Sequence, residues 1–382
     1  MRIRAALSEA GHDAPELTEL DLEEPRAGEM RVRIAACGIC HTDLHAQDGR
    51  LAPLPIVLGH EGAGVVEKLG EGVSDFAVGD HVLLSGSSCG TCPSCEANLP
   101  SYCDTAMPRT FGGGRMDRST ALSRKGSPVH SHFFGQSSFA SHAIVPQRTA
   151  VKLPKDVPLE MMAPLGCGII TGAGTVIESL ALQPGQSVAV FGTGGVGLSA
   201  VMAARLIGAS RIVAVDLSPQ RLELARELGA TDCLRGDQAD LAKAIRAITG
   251  RGMDASINTT VAPPVFDTAM ECLAMRGTAA FVTAPRGEWQ PPMFPMLAGG
   301  RSLKGVLGGD AAPRRFIPML VDFWRQGRFP FDRLLTFYPF EEIGRAFEDA
   351  RQGRVIKPVL TMADAIIPDA KGPEATRQGE AE

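Results

Sequence analysis

Tyrosine and tryptophan are scarce in this chain, two of each in 382 residues. That argues against a carbohydrate-stacking surface and against the aromatic belts of a membrane protein. No run of 18 apolar residues exists, which argues against a membrane span. Positive charge is not in excess either. Lys and Arg number 38 against 43 Asp and Glu, a net charge of −5, so the electrostatic footprint of a nucleic-acid binder is missing. The opening MRIRAALSEAGHDAPELTEL holds no apolar core of signal-peptide length, and the expected compartment is the cytoplasm. In that reducing setting the nine cysteines read as candidates for metal ligation rather than for disulfides.

What is present is an ordinary globular mixture, 44% hydrophobic and 21% charged, long enough for two or three domains of about 150 residues each. The 43 glycines and 27 prolines predict many tight turns. From Met1 to about Pro164 the texture is that of short half-buried strands, such as Met30–Ala36 and Gly64–Leu69, and few segments look helical. The polar stretch Ser119–His132 reads as a surface loop. From Ser187 the texture changes to short apolar strands alternating with helices. Strands are expected at Ser187–Phe191, Arg211–Val215 and Ala255–Asn258, with helices at Val196–Ile207, Pro219–Leu228, Asp240–Thr249 and Val265–Met275. Strand alternating with helix predicts a doubly wound parallel sheet, inserted here into a β-rich domain. The last residues, Ala363–Glu382, are polar and read as a disordered tail.

Three groups of residues carry chemistry. Cys89-x2-Cys92-x2-Cys95-x7-Cys103 places four of the nine cysteines in one short window, the spacing of a closed tetrahedral zinc site. Four sulfurs leave no position for water or substrate, so this zinc is structural. A second set is dispersed: Cys40-His41-Thr42-Asp43, Gly59-His60-Glu61 and Gly166-Cys167-Gly168. A Cys/His/Cys set leaves a fourth zinc position open, as catalysis needs; alcohol dehydrogenase is the general example of that ligand set. Third, Gly192-Thr193-Gly194-Gly195-Val196-Gly197 follows one predicted strand and opens a helix, with Asp216 ending the next strand. Such glycines let backbone approach a pyrophosphate at a helix N-terminus, and the acid accepts hydrogen bonds from ribose hydroxyls.

With these motifs in family order, the chain resembles the zinc-dependent alcohol dehydrogenases of the medium-chain dehydrogenase/reductase superfamily. The likeness runs from Met1 to Met362 and rests on GHEGAGVV from Gly59, GDHV from Gly79, the four-cysteine lobe, GCGIITGAGTV from Gly166 and GTGGVG from Gly192. Within the family, the loop His130–Gly135 and the ending Ile356–Leu360 resemble the aryl-alcohol (benzyl-type) dehydrogenases. The resemblance implies an α/β fold: a Rossmann NAD-binding domain over residues 169–307, inserted in a GroES-like catalytic domain over 1–168 and 308–362. It implies two zincs per chain, NAD as cofactor, a small hydrophobic alcohol or aldehyde as substrate, and a homodimer or homotetramer.

Residue by residue, the resemblance assigns Cys40, His60 and Cys167 to the catalytic zinc. Asp43 would fix the His60 tautomer, a helix cap being its alternative. Glu61 would lie behind the metal, or form a buried structural pair. Thr42 would touch the substrate hydroxyl, and His45 would end a proton relay that also runs through the cofactor ribose. An exposed helix histidine is the alternative for His45. His41, Lys357 and Arg221 match cations beside the cofactor pyrophosphate and the adenosine ribose, with a neutral surface histidine as the alternative for His41 and solvated surface charge for the other two. The glycines with Val196 cradle the pyrophosphate, and Asp216 holds the ribose. The substrate pocket would be Leu51, Ser85, Phe133, Phe134, Ala284 and Leu307, mostly apolar. Many relatives carry an aromatic where Ser85 stands, which widens the inner pocket. Two other functions remain in view. One is S-(hydroxymethyl)glutathione dehydrogenase, whose acid and base would fall at Leu51 and near Met107. The other is a catalytically inactive NAD(H)-binding sensor or scaffold.

Overall fold

The computed structural model describes residues 1–362; the tail expected to be disordered lies outside them. Alternating burial shapes the first half, joined by two strands from near the C-terminus that pair parallel with each other, into two otherwise antiparallel sheets. One has five strands, in the order Ile56–Val57, Arg2–Ser8, Glu16–Leu22, Leu122–Arg124, Ser127–Val129. The other runs Ala150–Leu153, His81–Leu84, Glu61–Leu69, Glu29–Gly38, Lys357–Thr361, Leu335–Pro339, with His142–Pro146 pairing to Glu29–Gly38. The strand Lys357–Thr361 returns the C-terminal part of the chain to the strand that leads into Cys40, pairing Val359 with Gly38. One expectation is corrected here. Ser119–His132 is not merely a surface loop: it contains a two-stranded hairpin on the sheet edge, and Ser131 and His132 are buried. The first half also carries short helices, among them His41–Gln47 and Ala106–Phe111.

The six fully parallel strands occupy Ser187–Phe191, Arg211–Asp216, Asp232–Arg235, Met253–Asn258, Leu273–Phe281 and Ser302–Gly305. Numbered in chain order they stand 3-2-1-4-5-6, the doubly wound arrangement in which a dinucleotide binds beyond the carboxyl ends at the switch point. Their burial on both faces explains the continuous apolar runs, for example Val188, Ala189, Val190 and Phe191, all at most 1% exposed. Helix Pro219–Leu228 falls where expected, with Ser218 capping its start through the Arg221 N–H. The helix expected to reach Met275 ends at Glu271 instead, and Leu273 opens the next strand. One core cluster joins the halves, running from Ala36 and Leu83 through Ile169 and Ile170 to Val190 and Leu198. Among the described residues no single helix is long and apolar enough to cross a membrane.

Candidate active site and metal centres

Cys40, His60 and Cys167 come from three places: the N-cap of helix His41–Gln47, the residue before strand Glu61–Leu69, and the N-cap of helix Gly168–Gly174. Their ligand atoms and a Glu61 carboxylate oxygen all lie within 4.8 Å of one another. His60 is 1% exposed, and its Nε2 is buried without a hydrogen-bond partner. An orphaned buried nitrogen beside two sulfurs costs free energy unless something binds there, and the set fits a zinc ion. Asp43 resolves its two readings by satisfying both. Its Oδ2 accepts the Cys40 N–H at 2.9 Å as a cap, while Oδ1 lies 2.9 Å from His60 Nδ1 and accepts the Gly59 N–H at 3.1 Å. An Nδ1–H turned to Asp43 leaves Nε2 with its lone pair facing the sulfurs.

Lys357 is not a solvated charge. It is 4% exposed, and its Nζ contacts Glu61 Oε1 and Oε2 at 2.8 and 2.9 Å and donates to the Ile39 carbonyl at 3.2 Å. Glu61 is therefore a buried pair and also stands within reach of the metal ligands. Burial pushes its carboxyl upward against the pull of the ammonium. Lys357 Cε also lies 3.6 Å from the position a Cβ would take on Gly195, so the stem approaches the glycine turn. That turn suits a pyrophosphate. Gly192 has φ +86°, a Cβ on Gly197 would strike the Gly192 carbonyl at 1.8 Å, and one on Gly194 would meet nothing within 4 Å. Helix Gly195–Leu206 begins there. Asp216 Oδ2 accepts the Thr193 N–H and hydroxyl at 2.6 and 2.8 Å, pinning the turn to the end of the next strand. Arg221, half-buried, donates to the Gly353 carbonyl at 3.0 Å.

Thr42 and His45 stand three apart on helix His41–Gln47, so they share a side of it. Thr42 Oγ1 lies 3.8 Å from Cys40 Sγ, while His41 and His45 are exposed. Above the ligands Phe134 stacks on the His60 ring at 4.3 Å, and Phe133 meets both edge-on. Ser85 is buried and its hydroxyl donates to the Gly166 carbonyl at 2.7 Å. Leu51, Ala284 and Leu307 are exposed and belong to no core cluster. Two residues at this site went unread in the sequence. Phe111 sits edge-on to Phe134 at 5.5 Å, closing an aromatic corner. Gln136, 1% exposed, donates to the His60 and Ser85 carbonyls and accepts the Gly62 N–H, fixing the His60 backbone. Neither lies in a motif that spacing could expose.

The second ligand set is local. Cys89, Cys92, Cys95 and Cys103 bring their sulfurs within 4.8 Å of one another around the helix Pro93–Glu96. The Thr91 N–H and hydroxyl reach Cys89 Sγ and hold its thiol down at about 5, whereas burial pushes Cys95 up to about 11. Four sulfurs of which one is already disposed to ionise fit a closed zinc site.

The alcohol dehydrogenase GroES-like domain model matches residues 26–155, and the zinc-binding dehydrogenase model matches residues 195–324. Geraniol dehydrogenase of Castellaniella defragrans is 48% identical over 340 residues, spanning 88% of this chain and 91% of that protein. The chain belongs to the zinc-dependent alcohol dehydrogenases of the medium-chain dehydrogenase/reductase superfamily. Solved structures agree. A zinc-binding-domain alcohol dehydrogenase from Burkholderia ambifaria superposes with TM-score 0.92 at 46% identity, covering 94% of this chain and 99% of that one. Benzyl alcohol dehydrogenase of Acinetobacter calcoaceticus gives 0.92 at 41%, covering 95% and 100%. This alcohol dehydrogenase is thus an oxidoreductase with the Rossmann and GroES-like domains of its family, and these likenesses favour neither the glutathione-linked reading nor the inactive scaffold.

Proposed function

We propose that this alcohol dehydrogenase interconverts allylic or aromatic primary alcohols and their aldehydes, using NAD and two zinc ions per chain. The observation that carries the substrate class is an aromatic corner at His60: Phe134 stacks on its ring, Phe111 meets Phe134 edge-on, and the buried Phe133 backs them. A flat π-system bound there packs against ring faces and edges. The names of the geraniol and benzyl alcohol enzymes among its relatives support the same reading. Cys40, His60 and Cys167 hold the catalytic zinc, with Glu61 behind it, and Cys89, Cys92, Cys95 and Cys103 hold the other. When bound, zinc supplies the Lewis acidity that lowers an alcohol's pKa, and NAD accepts the hydride. The chain's own groups do the rest. Asp43 keeps His60 oriented. The Thr42 hydroxyl takes up the alcohol proton as it releases its own, and His45, exposed on the same helix side, accepts the relayed proton on its imidazole and gives it to water. The Gly192–Gly197 turn and the helix it opens receive the pyrophosphate, flanked by His41 and Lys357; Asp216 and Arg221 face the adenosine ribose. Ser85 leaves room in the inner pocket, and Leu51, Ala284 and Leu307 complete its outer part.

The chain acts as a homo-oligomer in this reading. Strand Ser302–Gly305 is an open sheet edge, and Met293, Phe294 and Leu297 on the preceding helix are 71%, 77% and 81% exposed. Unpaired edges beside apolar patches seek partners. A reducing cytoplasm suits its thiol ligands.

Assays of geraniol, benzyl alcohol and ethanol, read by NADH absorbance, test the proposal, with formaldehyde plus glutathione as a control. We expect kcat/KM for the two larger alcohols to exceed that for ethanol by about tenfold or more, since one methylene in an apolar pocket already gives about 10–200-fold. NAD should outperform NADP, whose 2′-phosphate would face the Asp216 carboxylate. Faster turnover of formaldehyde with glutathione than of either larger alcohol overturns the reading.

A further inference from the structure

The hydroxyl of Tyr102 joins two regions that the sequence keeps far apart. It accepts the Leu307 N–H at 3.1 Å and donates to Asp310 Oδ1 at 2.6 Å. Tyr102 belongs to the four-cysteine lobe, directly before Cys103 in the turn Pro100–Tyr102. Leu307 to Asp310 form the turn that leaves strand Ser302–Gly305 at its carboxyl end, and the helix it packs on, Gly168–Gly174, abuts the glycine turn: a Cβ on Gly172 would lie 2.0 Å from the Val196 carbonyl.

This turn is strained and held from every side. Gly308, Gly309 and Asp310 have φ of +58°, +70° and +54°, and Asp310 has no glycine's freedom to adopt it. Below, a Cβ on Gly309 would lie 2.7 Å from Gly174 Cα and from the Ile170 carbonyl, both on the helix that starts directly after Cys167. At the side, Lys304 Nζ pairs with Asp310 Oδ2 at 2.8 Å and donates to the Ser179 carbonyl at 2.9 Å. Above, Ser101 and Tyr102 of the lobe close over it, Ser101 Oγ lying 2.5 Å from where a Gly308 Cβ would be. Strain of this kind persists only where the surroundings over-determine it, and the lobe supplies one of those surroundings.

We propose that Tyr102 is a positioning residue: it ties the four-cysteine lobe to the rim of the cofactor crevice, so that the lobe sets NAD(H) affinity as well as local stability. The inference rests on the reading of that crevice as the NAD(H) site. Removing one oxygen with Tyr102→Phe frees the Leu307 N–H and Asp310 Oδ1 without touching a sulfur.

The experiment is a fluorescence titration of NADH into metal-replete wild type, Tyr102→Phe, Asp310→Ala and the double variant, with Tm, metal content and steady-state kinetics on each. NADH binding by the wild type tests the crevice by itself; its failure removes the cofactor reading, whatever Tyr102 does. Given that binding, Tyr102→Phe should raise the NADH Kd about five- to tenfold, part of what a charge-assisted hydrogen bond is worth. KM for NAD should rise with it while kcat at saturating NAD is kept or increased, and metal content stays at the wild-type value. The double variant should lose no more affinity than the weaker-binding single variant. An unchanged NADH Kd in Tyr102→Phe, or fully additive losses in the double variant, overturns the proposal. A fall in Tm with unchanged Kd does so as well, since it marks Tyr102 as a structural clip alone.

Discussion

Cys89, Cys92, Cys95 and Cys103 meet within one short segment, whereas Cys40, His60 and Cys167 arrive from three separate elements. The first set closes on itself: apart from its own sulfurs, its polar partners are near neighbours such as Thr91 and Thr105. The second is wrapped in long-range support. Asp43 holds His60, Gln136 holds the His60 carbonyl, and Glu61 is countered by Lys357 from the far end of the chain. A local set has no core of its own and depends on its metal to fold. A dispersed set exists only once the fold has placed its members, so its loss falls on chemistry rather than on structure.

The sharpest way to break that contrast is to remove one sulfur from each set. Cys40→Ser should cut turnover by about 1,000-fold or more, because Lewis-acid stabilisation is worth several kcal/mol. Its Tm should stay near wild type. Cys92→Ser should lose one zinc per chain and give the larger fall in Tm, since a closed site's binding energy is folding energy. Elemental analysis with thermal melts decides it: a single zinc in fully folded, active wild type, or a Cys40→Ser chain that unfolds as readily as Cys92→Ser, removes the distinction.

Burial itself separates the two regions next. Glu61 is 0% exposed, and Lys357 is its charge partner. Lys357→Met leaves a buried carboxylate without a counter-charge, which costs about 3–5 kcal/mol. With the ammonium gone, burial holds the folded-state pKa of Glu61 above its unfolded value. The destabilisation is then greatest above that pKa and eases as pH falls through it and the carboxyl takes up a proton. Urea unfolding of Lys357→Met at pH 8 and pH 5 should show the deficit shrinking at the lower pH, and Glu61→Gln in the same chain should recover most of it. An equal deficit at both values means the loss is one of packing.

The same contrast explains what could be read from the sequence. The lobe's ligands and the Gly192–Gly197 turn are local patterns, and helix Pro219–Leu228 announces itself by Ser218, Pro219 and Gly229 at its ends. Local signals failed where an apolar run has no period. Leu273 and Ala274 fit a helix or a buried strand equally, and an apolar run alone extends the expected helix past Cys272. The hairpin at Leu122–Val129 is built from three-residue strands rich in Ser and Arg, too short to alternate visibly. For Lys357 the sequence leaves a pyrophosphate contact and a solvated charge both open, because its partner Glu61 lies 296 residues away. Phe111, Gln136 and Tyr102 matter only through tertiary neighbours, and nothing in their own surroundings along the chain marks them.

The smallest expected effect concerns the tie between the two regions. Glu29 opens the strand that runs into Cys40, and Arg115 follows the lobe; Nε and Nη2 of Arg115 donate to Oε1 and Oε2 of Glu29 at 2.6 and 2.9 Å. Both side chains are nearly buried, at 9% and 10% exposure. Burial alone would push the Glu29 carboxyl up, but His132, Arg115 and the Arg26 N–H hold it well below the usual carboxylate range. A folded-state pKa depressed below the unfolded value stabilises the fold in full above the unfolded pKa of about 4.3, and the gain is lost as pH falls toward the folded value. Arg115→Met should therefore cost about 1.5–3 kcal/mol at pH 7, the range for hydrogen bonds to a charged group. Its deficit should shrink as pH falls toward 3 and the Glu29 carboxyl, no longer held down by the guanidinium, protonates in the variant before it does in wild type. Metal content at both sites should not change, because no sulfur moves. Urea midpoints taken from pH 7 to pH 3 on the two proteins read this directly: curves that stay parallel down to pH 3 show that Arg115 contributes by packing its stem, and that the strand leading to Cys40 is held without this charge pair.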